Sequence, residues 1–149
     1  MNASHKLCNE LLCEYTDFKD FNKKEFVGYK LVERKGGPNY YSIVSGMFRY
    51  KSRHVSYSSY TALYEREKLH YNEHLKNRLA VFTTPEDAYN ALCNYKDIAD
   101  YKCNLVIIEI TLRGNLEKAI YSNKYVKNLK VVVGDVMEKI REKKDFKHE

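Results

Sequence analysis

Cations, aromatic rings and hydroxyl groups alternate without a single carboxylate over residues 47–60, which read Met-Phe-Arg-Tyr-Lys-Ser-Arg-His-Val-Ser-Tyr-Ser-Ser-Tyr. Arg49 and Arg53 supply guanidinium donors that suit phosphate oxygens, and the tyrosine rings suit stacking against a base. This composition favours the binding of a nucleotide. A solvated basic loop is the alternative, because charged loops are common on protein surfaces.

Phe82 and Arg113 each close an apolar segment. Phe82 precedes Thr-Thr-Pro at residues 83–85, a helix start where backbone donors favour an anion. Its ring can stack on a base, although a place in the core is the commoner fate of such a residue. Arg113 ends the most apolar run of the chain and needs an anionic partner if it is buried. Glu109, four residues earlier, is one candidate for that partner if both lie on one strand face.

Catalytic and metal-binding signatures are scarce. The sequence holds no nucleophile elbow, P-loop, dinucleotide-binding glycine motif or zinc-protease motif, and His54 begins a lone His-x-Ser. His70 and His74 stand one helical turn apart, but no set of Asp, Glu and Cys residues accompanies them at ligand spacing. We therefore expect no catalytic residues, no metal and no cofactor, while residues far apart in sequence can still converge in space.

Three helices are expected to support these residues. Apolar residues recur at helical spacing over 5–22, after Ser4 as the cap. Thr84, Pro85 and two acidic residues predict a helix over 85–97. Asp135 is expected to cap a last helix over 135–144.

Strands are expected between the helices. Turn-forming residues at 36–39 separate two apolar segments and predict a β-hairpin, and the β-branched run before Gly114 predicts a central strand. The predicted strands cover residues 26–34, 40–45, 79–82, 104–113 and 130–133. The fold class expected is therefore α+β, a small and mostly antiparallel sheet with an N-terminal helix, a helix near 85–97 and a C-terminal helix near 135–144.

Length and composition place these elements in one unit. A chain of 149 residues with 44% hydrophobic residues can bury one core, so we expect a single ligand-binding domain over 1–149. Within it, residues 1–25 hold the N-terminal helix and residues 145–149 form a charged tail. The net charge of +6 favours anionic partners. The excess lies in residues 26–60 and 101–149, two stretches that either meet in the fold or form two separate basic surfaces.

The cysteine pattern and the hydropathy point to a cytoplasmic protein. The four cysteines show no zinc-site spacing, so reduced thiols are the simplest interpretation. No secretory leader or membrane-spanning window is apparent.

Several segments together resemble the first family of Thoeris anti-defence proteins, small phage-encoded sponges. The resemblance rests on the basic loop at 48–60, on Ala-Val-Phe-Thr-Thr-Pro-Glu-Asp-Ala at 80–88, on Thr-Leu-Arg-Gly-Asn at 111–115 and on Tyr-Ser-Asn-Lys-Tyr at 121–125. It covers most of residues 26–142. The last of these segments can also be an ordinary surface turn.

The resemblance implies a specific activity. Proteins of that family bind a cyclic ADP-ribose isomer, such as glycocyclic ADP-ribose, made by TIR-domain enzymes, and they hold it without cleavage. It also implies a homo-oligomer, a dimer or a dimer-based hexamer, in the cytoplasm of an infected or lysogenic bacterium, and cyclic oligonucleotides as possible further ligands.

Carried onto this chain, the resemblance assigns ligand contacts to particular residues. Phe82 stacks on adenine, Arg113 holds phosphate, and Arg49 or Arg53 adds a second cation. Asn90, Asn123 and Tyr125 complete the expected ligand-binding set. No membrane and no long nucleic acid is expected as a partner. Two other hypotheses stay open: an enzyme acting on a nucleotide signal through His54 and Glu109, such as a phosphodiesterase or an ADP-ribosyltransferase-like domain, and a module that binds single-stranded RNA through residues 48–60.

Overall fold

The computed structural model describes residues 12–34, 39–42, 49–51, 74, 78–93 and 105–146. Within these residues the protein forms nine strands and one short helix. In chain order the elements are β1 (Glu14–Asp20), β2 (Glu25–Arg34), β3 (Asn39–Ser42), β4 (Arg49–Lys51), β5 (Leu79–Phe82), α1 (Pro85–Asn90), β6 (Leu105–Arg113), β7 (Glu117–Ser122), β8 (Leu129–Gly134) and β9 (Val136–Glu142).

The strands form one sheet, in which every pairing between described strands is antiparallel. From one edge, β1, β7, β8, β5 and β2 lie side by side, and β6 and then β9 follow beyond β2. The second edge of β2 is shared, since Tyr29 pairs with Phe82 of β5 while the residues from Val32 onward pair with β3. The sheet therefore branches at β2.

Two apolar cores lie on opposite faces of this sheet. Leu31 of β2 is buried in the core beneath α1, which we call the helix-side core, and Val32 is buried in the other, the inner core. A strand buried on both faces has no polar alternation, which explains the continuous apolar run of β6. Each fully buried aliphatic side chain stabilises the fold by about 1.5–3 kcal/mol relative to leaving it in water.

Gly28 marks the place where β2 and β5 come closest. A Cβ atom at this position would overlap the side chain of Val81 and lie 2.8 Å from the Phe82 carbonyl oxygen. Only glycine permits this approach, which holds the end of β5 beside the first half of β2. The approach brings the Thr83–Thr84 turn toward Phe26.

The predicted C-terminal helix over 135–144 is wrong, because Val136–Glu142 form β9. Met137 and Ile140 are both buried and three residues apart, the spacing of a helix face. In the structure that spacing comes from a β-bulge. The register with β6 shifts by one residue between Glu138 and Arg141, and Lys139 has a φ of 55°.

The predicted N-terminal helix over 5–22 is wrong for the same reason within the described residues. Residues 14–20 form β1, and residues 5–11 lie outside the described part. Tyr15 and Phe18 both pack on the helix-side core at a spacing of three, because β1 carries a bulge between Thr16 and Lys19. The α+β class with terminal helices is therefore incorrect. The described fold is an antiparallel sheet with one short helix.

The middle helix begins as predicted. Thr84 is its cap, and the Thr84 hydroxyl accepts a hydrogen bond of 3.1 Å from the Asp87 amide. Pro85 occupies the first turn. The helix ends at Asn90, earlier than the predicted span of 85–97, and residues 94–97 lie outside the described part.

Candidate functional site: a lysine-lined cleft

An open cleft of about 600 Å³ is lined by residues of β1, β7 and β8 together with neighbouring turns. Its floor includes Ile120 and Val132, and the Thr83–Thr84 turn lies on one side. Its charged and aromatic lining consists of Lys19, Lys118, Lys130, Asp17, Phe21 and Phe26. We call this site the lysine cleft. Its volume is within the range of pockets that hold small ligands.

Strand register brings the lysines of the cleft together. Lys19 of β1 pairs directly with Lys118 of β7. Lys118 in turn pairs with Val132, so Lys130 occupies the diagonal position on β8. Like charges directly opposite each other on an antiparallel pair oppose folding by roughly 0.2–1 kcal/mol. The fold therefore holds an unfavourable concentration of positive charge at this place.

No carboxylate of the described part forms an ion pair with these lysines, although Asp17 lines the same cleft. Neither Lys19 nor Lys118 nor Lys130 forms an ion pair with any residue that the structure describes. Lys118 has one partial compensation, since its Nζ lies 4.7 Å from the centre of the Phe21 ring. Phe26 stands edge-on to Phe21 with ring centres 5.7 Å apart. The cleft thus combines unpaired cations with an aromatic wall.

Arg113, expected to hold phosphate, is placed elsewhere. It is exposed at the end of β6, and its Nη1 donates a 3.0 Å hydrogen bond to Glu138. This hydrogen bond and the Glu138 charge raise the pKa of Arg113. Glu109, the partner considered from the sequence, accepts a hydrogen bond of 2.8 Å from Arg141 instead. Arg113 lines a separate depression with Lys23 and Lys24 and does not join the lysine cleft.

Phe82 has the role of a packing residue in the described structure. Its ring meets Tyr121 edge-on at 5.3 Å between centres, on the helix-side core. The next two residues, Thr83 and Thr84, line the lysine cleft. The turn after Phe82 therefore lines the cleft, whereas the ring of Phe82 itself contacts the core.

Asn123 is buried and fully engaged by the protein itself. Its amide nitrogen donates to the Ala91 carbonyl oxygen at 2.6 Å and to the Tyr121 hydroxyl at 2.8 Å. Its Oδ1 accepts from the backbone amides of Tyr125 and Val126 at 2.8 and 3.0 Å. These bonds shape the β7–β8 connection. Tyr125 is exposed, with Lys124 Nζ 5.7 Å from its ring centre.

The remaining predicted ligand residues do not meet at the cleft in the described part. Asn90 is exposed at the end of α1, with its Oδ1 3.8 Å from Cys93 Sγ. Arg49 begins β4, on the far side of β2 from the cleft strands. Arg53, His54 and His70 lie outside the described residues, as does nearly all of the basic loop at 48–60.

A second charged cluster lies at the start of β7, and we call it the arginine network. Arg78 donates to Glu117, to the Asn115 carbonyl oxygen and, at 3.2 Å, to Asp135. His74 Nε2 lies 2.8 Å from Glu117 Oε1. Partial burial acts to raise the pKa of Glu117, but its hydrogen bonds and its attraction to Arg78 and His74 together outweigh burial and leave it below its ordinary value.

The sequence analysis missed the cleft lysines and Asp17. Lys118 and Lys130 belong to the basic stretch 101–149, but Lys19 comes from a segment with no net positive charge. A signal was present in part, since Lys118 and Ile120 alternate with the buried residues Ala119 and Tyr121, as in a strand with one exposed face. The pairing that brings three strands together is not visible in the sequence. No group of three or more His, Cys, Asp or Glu side chains in the described part is placed to hold a metal ion.

Comparison with protein-family models, curated proteins and solved structures gives no match to this chain. In the part of the chain that the structure describes, every helix is too short or too polar to span a lipid bilayer.

Proposed function

We propose that this protein binds a small phosphorylated nucleotide in the lysine cleft and releases it unchanged. The observation that carries the proposal is the trio Lys19, Lys118 and Lys130, held close by strand register without a carboxylate partner in the described structure. An anion that enters the cleft relieves their mutual repulsion and gains charge-assisted hydrogen bonds. The Phe21 and Phe26 rings suit the flat, apolar part of such a ligand.

The identity of the nucleotide follows from the family resemblance. We take the ligand to be a cyclic ADP-ribose isomer, with glycocyclic ADP-ribose first among them, because its pyrophosphate suits paired cations and its adenine suits an aromatic wall. The protein would then act as a phage sponge that sequesters the signal of TIR-domain enzymes in the host cytoplasm. A dimer or a dimer-based hexamer is part of the same proposal.

The cleft supplies groups for binding and groups for proton transfer. Its titratable side chains are three lysines and Asp17. Lysine ammonium groups bind phosphate directly, but lysine and aspartate also act as general acids and bases in enzymes. Release without conversion is therefore a part of the proposal that rests on the family resemblance. The sponge and the enzyme hypotheses are separated by the fate of the ligand.

Titration calorimetry against cyclic ADP-ribose, glycocyclic ADP-ribose and ADP-ribose tests the proposal. Binding of at least one of them is expected, and Lys130→Gln should weaken it about tenfold, since a hydrogen bond to a charged group contributes roughly 1.5–3 kcal/mol. Lys127→Gln is the matched control, because Lys127 is an exposed lysine on the β7–β8 connection that does not line the cleft.

Two results would contradict the proposal. The lysine cleft is not the site if Lys130→Gln and Lys127→Gln bind the nucleotide equally well. The sponge activity is excluded if heating the complex releases a converted product in place of the original nucleotide.

A further inference from the structure

The bulge in β1 decides which side chains enter the lysine cleft. Thr16 pairs with Ile120 and Lys19 pairs with Lys118, so β1 advances by three residues while β7 advances by two. With regular alternation after Thr16, Phe18 would face the cleft and Lys19 would face away from it. The extra residue reverses this order. Phe18 packs on the helix-side core, and Lys19 faces the cleft.

Asp17 is the residue at which the bulge forms. Its φ of 58° lies in the left-handed region, which Asp tolerates better than most residues but which still costs conformational energy. Its side chain lines the cleft together with the three lysines. A bulge beside a site commonly serves to redirect a side chain. Here it adds one carboxylate to a surface that otherwise carries only positive charge.

The Asp17 carboxylate is exposed, and within the described structure it forms neither a hydrogen bond nor an ion pair. For a purely anionic ligand this carboxylate is unfavourable, because it repels phosphate oxygens. For a ligand that carries hydroxyl donors next to its phosphates, the same carboxylate is an acceptor of charge-assisted hydrogen bonds.

We infer that Asp17 is a specificity-determining residue of the lysine cleft. It accepts hydrogen bonds from sugar hydroxyls of the ligand and disfavours phosphate compounds that lack such donors. The ligand class is therefore a sugar-containing pyrophosphate and not an inorganic polyphosphate. This inference rests on the proposed function and assigns to one residue the recognition of the sugar.

The test compares two probes, ADP-ribose and inorganic pyrophosphate, which share the pyrophosphate group but differ in the sugar hydroxyls. Asp17→Gly removes the carboxylate and keeps the backbone conformation, because glycine adopts a positive φ readily. We expect calorimetry to show ADP-ribose binding about tenfold weaker, from the loss of a charge-assisted hydrogen bond. Pyrophosphate should bind about fivefold more tightly, since a unit charge about 4 Å away contributes roughly 1 kcal/mol even in water.

Opposite changes for the two probes are the result that a structural role cannot produce, because a damaged fold would weaken both. Asp17→Asn, which also tolerates the left-handed conformation, should raise pyrophosphate affinity in the same direction. The inference is overturned if wild type binds ADP-ribose and the ratio of the two dissociation constants is unchanged in Asp17→Gly. The inference alone is overturned if wild type binds a cyclic ADP-ribose isomer but neither ADP-ribose nor pyrophosphate. The proposed function itself fails if wild type binds none of cyclic ADP-ribose, glycocyclic ADP-ribose and ADP-ribose, and the inference then fails with it.

Discussion

The arginine network and the lysine cleft begin at neighbouring residues of β7. Arg78 in the network forms ion pairs with carboxylates, whereas the lysines of the cleft form none in the described structure. Glu117 lies within hydrogen-bonding distance of Arg78 and His74, and Arg78 also reaches Asp135. Lys118, the next residue, faces Lys19 across the strand pair. Alternation along a strand sends consecutive side chains to opposite faces. A single step in sequence therefore separates a cluster whose cations are paired with carboxylates from one whose lysines are not.

The difference shows which charges the fold satisfies internally. Arg78, Arg113 and Arg141, the arginines whose side chains the structure describes, each form an ion pair with a carboxylate. The cleft lysines form none within the described part. Arginine and lysine differ in a way that suits this division, because a planar guanidinium is preorganised for carboxylates while an ammonium is a mobile point charge. The net charge of the chain does not distinguish the paired arginines from the unpaired cleft lysines.

The largest effect should come from removing the central cation of the arginine network. Arg78→Met would leave Glu117 and Asp135 without their main partner in a partly buried place. We expect the free energy of unfolding to fall by about 3 kcal/mol, as when one member of a buried ion pair is removed. Urea denaturation measures this loss.

Arg141→Met serves as the comparison, because Arg141 is 74% exposed and its pair with Glu109 should contribute under about 1 kcal/mol. Equal losses for the two variants would show that Arg78 is no more important to the fold than a surface arginine.

A smaller effect should appear on acidification. Because the pKa of Glu117 is lower in the folded protein than in the unfolded chain, its contribution to stability is complete above its ordinary pKa and is lost as the pH falls through the lowered value. We expect a loss of about 1 kcal/mol, the size of one hydrogen bond. Thermal unfolding from pH 7 downward should show a shallower acid decline for Glu117→Gln than for wild type. Parallel declines would argue against this residue as the acid-sensitive group.

The smallest expected effect is a gain in stability rather than a loss. Lys19→Gln removes one of two facing positive charges and leaves the contact between Lys118 and Phe21 in place. We expect the unliganded protein to gain about 0.5 kcal/mol of stability at low salt and to show no gain at high salt, where the repulsion is screened. A loss of stability at low salt would mean that Lys19 has a favourable partner in the fold, and it would remove the distinction between the two clusters.

The pattern of residues along the chain predicted part of this architecture. The apolar runs at 26–34, 79–82, 104–113 and 130–133 predicted strands that the structure contains as β2, β5, β6 and β8. The Thr84–Pro85 start of α1 was also predicted correctly, because a cap and its proline act within a few residues of the chain. The expectation of a small anionic ligand remains a prediction, now attached to different side chains.

By itself, the sequence determined the elements whose signals are local: buried strands, one helix start and the turn after β5. Tertiary structure alone decided the rest. The bulges in β1 and β9 produce a three-residue spacing of buried side chains that resembles a helix, and pairing across the sheet is what makes those segments strands. Lys19, Lys118 and Lys130 converge only because β1, β7 and β8 lie side by side, a relation set by long-range hydrogen bonding that no short window of sequence contains.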